Sequence, residues 1–282
     1  MAYKKTNAGF VRHTLLQQRG YIMDIAHHPS NEHPVVKHVN VSYPAKWLRQ
    51  GLKDLQRAPA DSLFYGAVFV LMGYLLTTYF EQAPEIVITL STIFLLAGPF
   101  LAIGLYDIAK QMEAFDGRGR VTLVHSMMAW RVNMHSFALY AVLLAVLVFG
   151  WFRMSLLMFA LFYDTATLPT LNMVVTNAFK PENVGFLVAY FGIGFFFAAL
   201  VFAVSAVSLP MLLDKEVDTV TAMVASLQAV YKNLLTMLVW AAMIVALTVV
   251  GFATYFVGLI VIMPVIGLAT WHAYRDLITF ER

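Results

Sequence analysis

The chain has 282 residues, of which 60% are hydrophobic and only 12% are charged, with a formal net charge of +3 and no cysteine. Soluble domains are typically about 25% charged, so this composition excludes an ordinary soluble domain. No nucleic-acid partner is predicted. The absence of cysteine excludes disulfides, thiolate metal sites and a cysteine nucleophile.

The N-terminal region, residues 1–41, is polar and of mixed charge, and it contains five of the eight histidines. It has no periodic apolar face, which is typical of a flexible tail. Imidazoles bind zinc, copper and nickel, but the histidines of this tail do not have the spacing of a compact site; they include His27, His28, His33 and His38. We therefore predict no metal site.

Residues 42–58 predict a short helix with Pro44 in its first turn. Apolar residues share one face of this helix and basic residues lie mostly elsewhere; the two sets are Trp47, Leu48, Leu52 and Leu55, and Lys46, Arg49, Lys53 and Arg57. A basic amphipathic helix is typical of an anionic membrane surface. Packing of its apolar face against the rest of the protein is the alternative.

The remaining chain, residues 62–278, predicts an all-α, polytopic membrane helix bundle in the lipid bilayer. Long apolar runs indicate transmembrane helices. Six runs qualify, near 62–80, 86–109, 136–152, 185–213, 233–250 and 253–278. With the lysine and arginine residues of the loop 110–135 in the cytoplasm, both termini are cytoplasmic.

A seventh apolar segment, 154–179, contains Asp164 and Pro169 near its middle. A charge at bilayer depth is costly and proline interrupts a helix. We therefore interpret the segment as re-entrant or as lying on the outer surface. This choice keeps the loop 214–232 on the cytoplasmic side.

An internal repeat supports the same topology. Residues 121–133, VTLVHSMMAWRVN, align without a gap with residues 221–233, TAMVASLQAVYKN. The match includes Asn133 and Asn233, which are expected to cap the following helices. Two repeats in the same orientation place both copies on the cytoplasmic side.

Polar residues gather where three predicted spans end on that side. They form a candidate cluster of Tyr106, Asp107, Arg131, Asp214, Trp271, His272, Tyr274, Arg275 and Asp276. An interfacial anchor of aromatic and basic side chains is one interpretation, and a site that binds a ligand or moves protons through His272 and Asp276 is the other. We expect Arg275 to pair with Asp107, and Arg131 to pair with Asp276.

No cofactor is predicted. His135 and His272 lie at apolar helix ends, and haem can be ligated by two histidines on facing helices. Two isolated histidines are more often interfacial residues. The sequence has no G-x-S-x-G, HExxH or P-loop motif either, which favours a protein that is not an enzyme.

Four segments carry a resemblance to a known family: WLRQGLKDL, GPFLAIGLYDIAKQMEA, VSAVSLPMLLDKEVDTVTAM and GLATWHAYRDL. Over residues 35–278 the chain resembles an uncharacterised family of bacterial integral membrane proteins, some of which are labelled cytochrome c oxidase subunit I. The resemblance implies a bacterial inner-membrane protein and no catalytic residues. The chain has too few membrane histidines for a haem–copper catalytic subunit.

Two classes of function remain. The first is a non-catalytic scaffold or accessory protein, with a membrane protein partner or a second copy of the chain, and with an association with a respiratory oxidase left open. The second is a small-solute or ion transporter or channel built from two repeats. A water-filled cavity between the repeats would favour transport, and a solidly packed bundle would favour the scaffold.

Overall fold

The computed structural model describes residues 33–80, 84–114, 121–162 and 184–281. The chain divides into two compact units, of which residues 36–278 form the larger, helical one. The described residues of the smaller unit lie in strands β1, His33–Val36, and β2, Ile278–Glu281, which pair in a two-stranded sheet. Residues 1–32 of the predicted tail lie outside the described residues, and residues 33–36, which the predicted tail includes, form strand β1.

The helical unit contains long apolar helices joined by short amphipathic ones. In chain order the described helices are α1 (Tyr43–Arg57), α2 (Pro59–Phe80), α3 (Pro84–Ala114), α4 (Leu123–Met127), a 3-10 helix (Ala129–Asn133), α5 (Met134–Phe162), α6 (Val184–Ser205), α7 (Ser208–Asp214), α8 (Thr219–Lys232), α9 (Leu234–Ala253) and α10 (Leu259–Leu277).

Within the described residues, four helical segments are long and apolar enough to cross a membrane. They are Pro59–Tyr79, Ala129–Phe162, Val184–Asp214 and Leu234–Ala253. Large apolar side chains such as Phe149, Phe195 and Val245 are exposed on them, as expected of helices that face lipid. The prediction of several apolar membrane helices is therefore confirmed.

One predicted helix boundary is wrong. The span predicted to end at residue 152 continues as α5 to Phe162, because residues 153–162 contain no proline or glycine. The first residues of the predicted re-entrant segment 154–179 are thus helical. Asp164 and Pro169 lie outside the described residues.

The span predicted over 185–213 is divided into α6 and α7. Pro210 has no amide hydrogen for the helical bond to residue 206, so a break at this point costs little. The side chain of Ser226 on α8 stabilises the break. Its hydroxyl oxygen accepts a hydrogen bond from the amide of Val207 at 3.3 Å, and its hydroxyl donates to the carbonyl of Ala203 at 2.8 Å.

Helix α10 packs closely against three other helices. A Cβ atom added to Gly51 of α1 would lie 2.6 Å from the carbonyl oxygen of Val265, and one added to Gly66 of α2 would lie 2.0 Å from that of Ile260. Gly267 in turn contacts the side chain of Leu105 on α3. Small residues allow this close approach of helix backbones.

The apolar face of α1 packs against α10, as the alternative interpretation expected. Trp47, Gly51 and Leu55 are buried, and Trp47 lies edge-on to Trp240 of α9 at 5.7 Å. The basic side chains remain exposed; they are Lys46, Arg49, Lys53 and Arg57. Contact of this basic face with a membrane surface stays a prediction.

Helices α5 and α6 form an antiparallel pair. Tyr140, near the start of α5, donates a hydrogen bond of 2.6 Å to Ser205 at the end of α6. Phe159, near the end of α5, lies 5.3 Å from Phe186 at the start of α6. The end of α5 and the start of α6 therefore lie on the same side.

The two segments of the predicted repeat differ in conformation. Residues 123–133 form α4 and the 3-10 helix, whereas residues 219–232 form the continuous helix α8. Asn133 ends the first segment and Asn233 follows the second, and a long apolar helix, α5 or α9, comes next in each case. The internal repeat stays a prediction.

Candidate functional site: a polar collar at three helix ends

The C-terminal ends of α3, α7 and α10 meet in one network of polar side chains. We call this network the polar collar and define it as Lys110, Glu113, Asp214, Trp271, Tyr274 and Arg275. Lysine and arginine near helix C-termini are favoured by the helix dipole. The collar therefore joins three chain segments at the ends where basic side chains are most stable.

Glu113 accepts hydrogen bonds from two residues of α10. The indole Nε1 of Trp271 donates to Glu113 Oε2 at 2.8 Å. Nε of Arg275 donates to Glu113 Oε1 at 3.0 Å, and Nη2 of Arg275 lies 2.9 Å from the same oxygen. Trp271 and Arg275 are one helical turn apart, so their side chains reach the same carboxylate.

Asp214 at the end of α7 has three partners from two helices. The hydroxyl of Tyr274 donates to Asp214 Oδ2 at 2.8 Å, and Nη1 of Arg275 lies 3.5 Å from that oxygen. Nζ of Lys110 lies 3.3 Å from Asp214 Oδ1 and donates to the carbonyl of Leu213 at 3.0 Å. Asp214 therefore links α3, α7 and α10.

A second set of contacts joins α10 to α1. Nε2 of His272 lies 2.6 Å from Oδ2 of the buried Asp54. Asp276 accepts hydrogen bonds from Lys46 Nζ at 2.8 Å and from Trp47 Nε1 at 2.9 Å. His272 and Asp276, which the alternative interpretation joined in one site, therefore each contact α1.

Asp107 forms a third set of contacts. Its carboxylate is buried, accepts a hydrogen bond from Gln111 Nε2 at 2.6 Å and lies 2.8 Å from Nδ1 of His125 on α4. Gln111 Oε1 accepts from the amide of Thr122 at 2.9 Å. The neighbouring Tyr106 is also buried. This set attaches α4 to the end of α3.

The two ion pairs expected from the sequence are wrong. Arg275 contacts Glu113 and Asp214, while Asp107 contacts Gln111 and His125. Asp276 contacts α1, and the exposed Arg131 lies over the ring of Trp130 at 5.5 Å. Sequence patterns placed these side chains at helix ends, but they do not show how the helices are rotated relative to one another. That rotation determines which side chains pair.

The expected side-chain caps at Asn133 and Asn233 are also wrong. Asn133 Nδ2 donates to the carbonyl of Val217 at 3.1 Å, and therefore holds the turn after α7. Asn233 occupies the N-cap position of α9, but its side chain makes no capping hydrogen bond. Its Oδ1 accepts from the amide of Val39 at 2.8 Å, and its Nδ2 donates to the carbonyl of Lys37 at 2.9 Å.

These last contacts hold the segment before α1 against the start of α9. Lys232 Nζ donates to the carbonyl of Val36 at 2.6 Å, and Thr236 Oγ1 donates to the carbonyl of Val39 at 3.2 Å. Val36 and Val39 are buried. Extended backbone needs such external partners for its polar groups, and side chains of α8 and α9 supply them.

Sequence reasoning did not identify Glu113 and Asp54 as members of these sets. Glu113 was assigned to a loop because the span was predicted to end at residue 109, whereas α3 continues to Ala114. Asp54 had a recognisable signal, since Trp47, Gly51 and Asp54 share one face at helical spacing. A carboxylate on an otherwise apolar face requires a partner inside the protein.

The histidines that could ligate haem have different surroundings. His135 is exposed on α5, whereas His272 contacts the carboxylate of Asp54 at 2.6 Å. In the ranges that the structure describes, no group of three or more His, Asp or Glu side chains is arranged to hold a metal ion. That the protein binds no haem or metal stays a prediction.

The acidic side chains of these three sets of contacts all have partners within the same chain. Glu113, Asp214, Asp54, Asp107 and Asp276 each contact at least one donor or cation from another helix. Charge-assisted hydrogen bonds typically contribute about 1.5–3 kcal/mol each at buried groups such as Asp54 and Asp107, and less at half-exposed groups such as Glu113. The arrangement therefore holds helix ends together.

Comparison with known families agrees with this architecture. Residues 86–214 match the model of a family described as "Predicted integral membrane protein (DUF2189)", which covers a little less than half of the chain. No curated protein and no solved structure gives a significant match. The matched stretch runs from α3 through the end of α7, and by this match the chain is similar to an uncharacterised family of integral membrane proteins, as its motifs indicated.

Proposed function

We propose that the protein is a non-catalytic scaffold or accessory protein of a bacterial inner membrane, in which the polar collar keeps one face rigid. The observation that carries this proposal is the pairing of the collar carboxylates within the chain. Glu113 and Asp214 both contact Arg275. Trp271 also donates a hydrogen bond to Glu113, and Tyr274 donates one to Asp214. A site that binds and releases a solute needs polar groups that are open to the solute, whereas these are engaged with one another.

Six spans with both termini in the cytoplasm are part of the proposal. The antiparallel contacts of α5 and α6 support it, because the segment 163–183 then begins and ends on one side. The contacts of Lys110 and Tyr274 with Asp214 support it as well, because they bring the ends of α3, α7 and α10 together. With positive charge inside, that shared side is cytoplasmic.

The scaffold proposal is tested by purifying the tagged full chain from its native membrane in mild detergent. The expected result is a fixed stoichiometry with one membrane protein partner or a second copy of the chain, and no haem Soret band or stoichiometric metal in the chain itself. Glu113→Gln should lower the amount of complex because it loosens the collar. Glu216→Gln, at an exposed position two residues after Asp214 and outside the collar, is the matched control.

Transport is the second candidate, and two prolines inside helices favour it. Pro99 interrupts the hydrogen bonds of α3, and Pro264 those of α10. Interrupted helices are common in transporters. Purified chain in ion-loaded vesicles separates the two candidates: saturable flux above protein-free vesicles, together with a monomeric chain in the native membrane, would contradict the scaffold proposal.

A further inference from the structure

We propose that a groove between α5 and α6 binds one acyl chain of a membrane phospholipid. The groove has a volume of about 460 Å³ and lies between two of the helices that are apolar enough to span the membrane, with Pro99 of α3 and Leu209 of α7 at its edge. The proposal depends on the membrane location of these helices and is independent of the scaffold function.

The lining of the groove suits a hydrocarbon chain. Its walls include Leu144, Leu147 and Trp151 of α5 and Phe197 and Val201 of α6, and its surface is almost entirely apolar. Leu144 is buried, whereas the other wall residues named here are only half-buried. The groove is therefore accessible from the surface of the helices, which at this depth is in contact with lipid tails.

Small residues on α6 create the space. Gly194 and Ala198 are one helical turn apart and both line the groove. A Cβ atom added to Gly194 would meet no other atom within 4 Å. On the opposite wall, Leu147 and Trp151 are also one turn apart. The trough between the two helices therefore follows their axes, as an extended chain requires.

The length of the groove corresponds to one leaflet. From Tyr140 to Trp151 the α5 backbone advances about 16 Å at 1.5 Å per residue, and Gly194 to Ser205 is the same length of α6. The hydrocarbon core of a bilayer is about 30 Å thick. One acyl chain occupies about half of that thickness, so the groove matches a single tail.

The two ends of the groove differ in polarity. The hydroxyls of Tyr140 and Ser205 are hydrogen-bonded at 2.6 Å at the end near the start of α5, and the other end is apolar. Tyr140 lies about 9 Å along the helix from Met134. We therefore place the headgroup of the bound lipid beyond Tyr140, on the side of the polar collar, and the end of its tail near Trp151.

The test uses matched pairs of substitutions on α6. Gly194→Leu and Ala198→Phe place a side chain in the groove. Gly192→Leu and Ala199→Phe add the same bulk outside its lining, and Gly192 also has open space around an added Cβ. Thermal unfolding of all four full-length variants in detergent checks that each one is folded.

The delipidated protein is given dioleoyl phosphatidylglycerol at a limiting ratio, and bound lipid is counted by native mass spectrometry. Wild type and the two control variants should retain one lipid, and the groove variants should retain about tenfold less, because apolar contact with the tail is lost. Equal retention by all variants would overturn the proposal. So would a wild-type dimer that Gly194→Leu converts to monomer without changing lipid binding, since the groove would then hold a second copy of the chain.

Discussion

Arg275 contacts Glu113 with two of its nitrogens, Nε at 3.0 Å and Nη2 at 2.9 Å from the same carboxylate oxygen. The two residues are 162 positions apart in the sequence. This contact joins the end of the last described helix to the end of α3, and Asp214 and Trp271 extend it.

Arg275→Lys should lower the free energy of unfolding in detergent, because a lysine cannot donate from a planar fork to both Glu113 and Asp214. The side chains of Arg275 and Glu113 are 47% and 44% exposed, so the expected loss is only about 0.5–1 kcal/mol. Arg153→Lys, at an exposed arginine over the ring of Phe149, is the control and should change little. Losses that simply add in the double variant Arg275→Lys, Glu113→Gln would disprove the pairing.

Asp54→Ala should destabilise the protein by about 1–3 kcal/mol, because it removes the buried partner of His272. Thermal unfolding in detergent measures the loss. Lys53→Ala, at an exposed position on the same helix, controls for the change in helix propensity. An unchanged melting temperature for Asp54→Ala would mean that the short contact between Asp54 and His272 contributes nothing to stability.

Gly66→Ala should cost about 1–3 kcal/mol, because overpacking forces the backbones of two helices apart. The added methyl would lie 2.0 Å from the carbonyl oxygen of Ile260, where no flexible side chain can move aside. Gly192→Ala adds a methyl in open space and is the control. If both variants unfold at the wild-type temperature, α2 and α10 are not packed as described.

Asp218 caps α8 by accepting hydrogen bonds from the Thr221 hydroxyl and, at 2.9 Å, from the Thr221 amide. These bonds lower the pKa of Asp218 from its ordinary value of 3.8. A carboxyl with a lowered pKa stabilises the fold above its ordinary pKa, and this contribution is lost as the pH falls through the lowered value. At neutral pH, Asp218→Ala should cost about 1 kcal/mol.

The same cap makes a pH-dependent prediction. Asp218→Asn keeps an N-cap residue that does not titrate, so its stability relative to wild type should improve as the pH is lowered below about 4. Thermal unfolding at a series of pH values, with both proteins in the same detergent, measures the difference. A difference that stays constant down to about pH 2.5 would contradict the assignment of a charged cap to Asp218.

Reporter fusions test the topology. Fusions after Arg120, Lys215 and Arg282 should all report the same side, because the ends of α3, α7 and α10 share the collar. That side should be the cytoplasm, because the positively charged loops face it. A fusion in the turn after α9, at Tyr255, should report the opposite side. A periplasmic signal after both Lys215 and Arg282 would require the segment 163–183 to cross the membrane.

The backbone conformation of the turn between α9 and α10 depends on tertiary contacts. Tyr255 and Phe256 have φ angles of 53° and 68°, a left-handed conformation that non-glycine residues adopt rarely. The ring of Phe256 packs against Gly73 of α2, which gives a physical reason for holding this conformation. The sequence has neither Asn nor Gly at these two positions, and no local signal predicts it.

The sequence by itself determined the class of the protein and most of its helices. The spans were recognisable because a membrane helix must contain a long apolar run, and that requirement is local. Trp271, Tyr274 and Arg275 were recognisable as a helix end for the same reason, since an apolar run stops at that point.

Only the tertiary structure decided which side chains pair. Glu113, Asp214 and Arg275 come from three helices that are far apart in the chain, and their contact depends on the rotation and depth of each helix. Those variables are set by packing, as where Gly66 brings α2 against Ile260 of α10. The sequence supplies charges and small residues, and the side chains that they meet follow from how the helices pack.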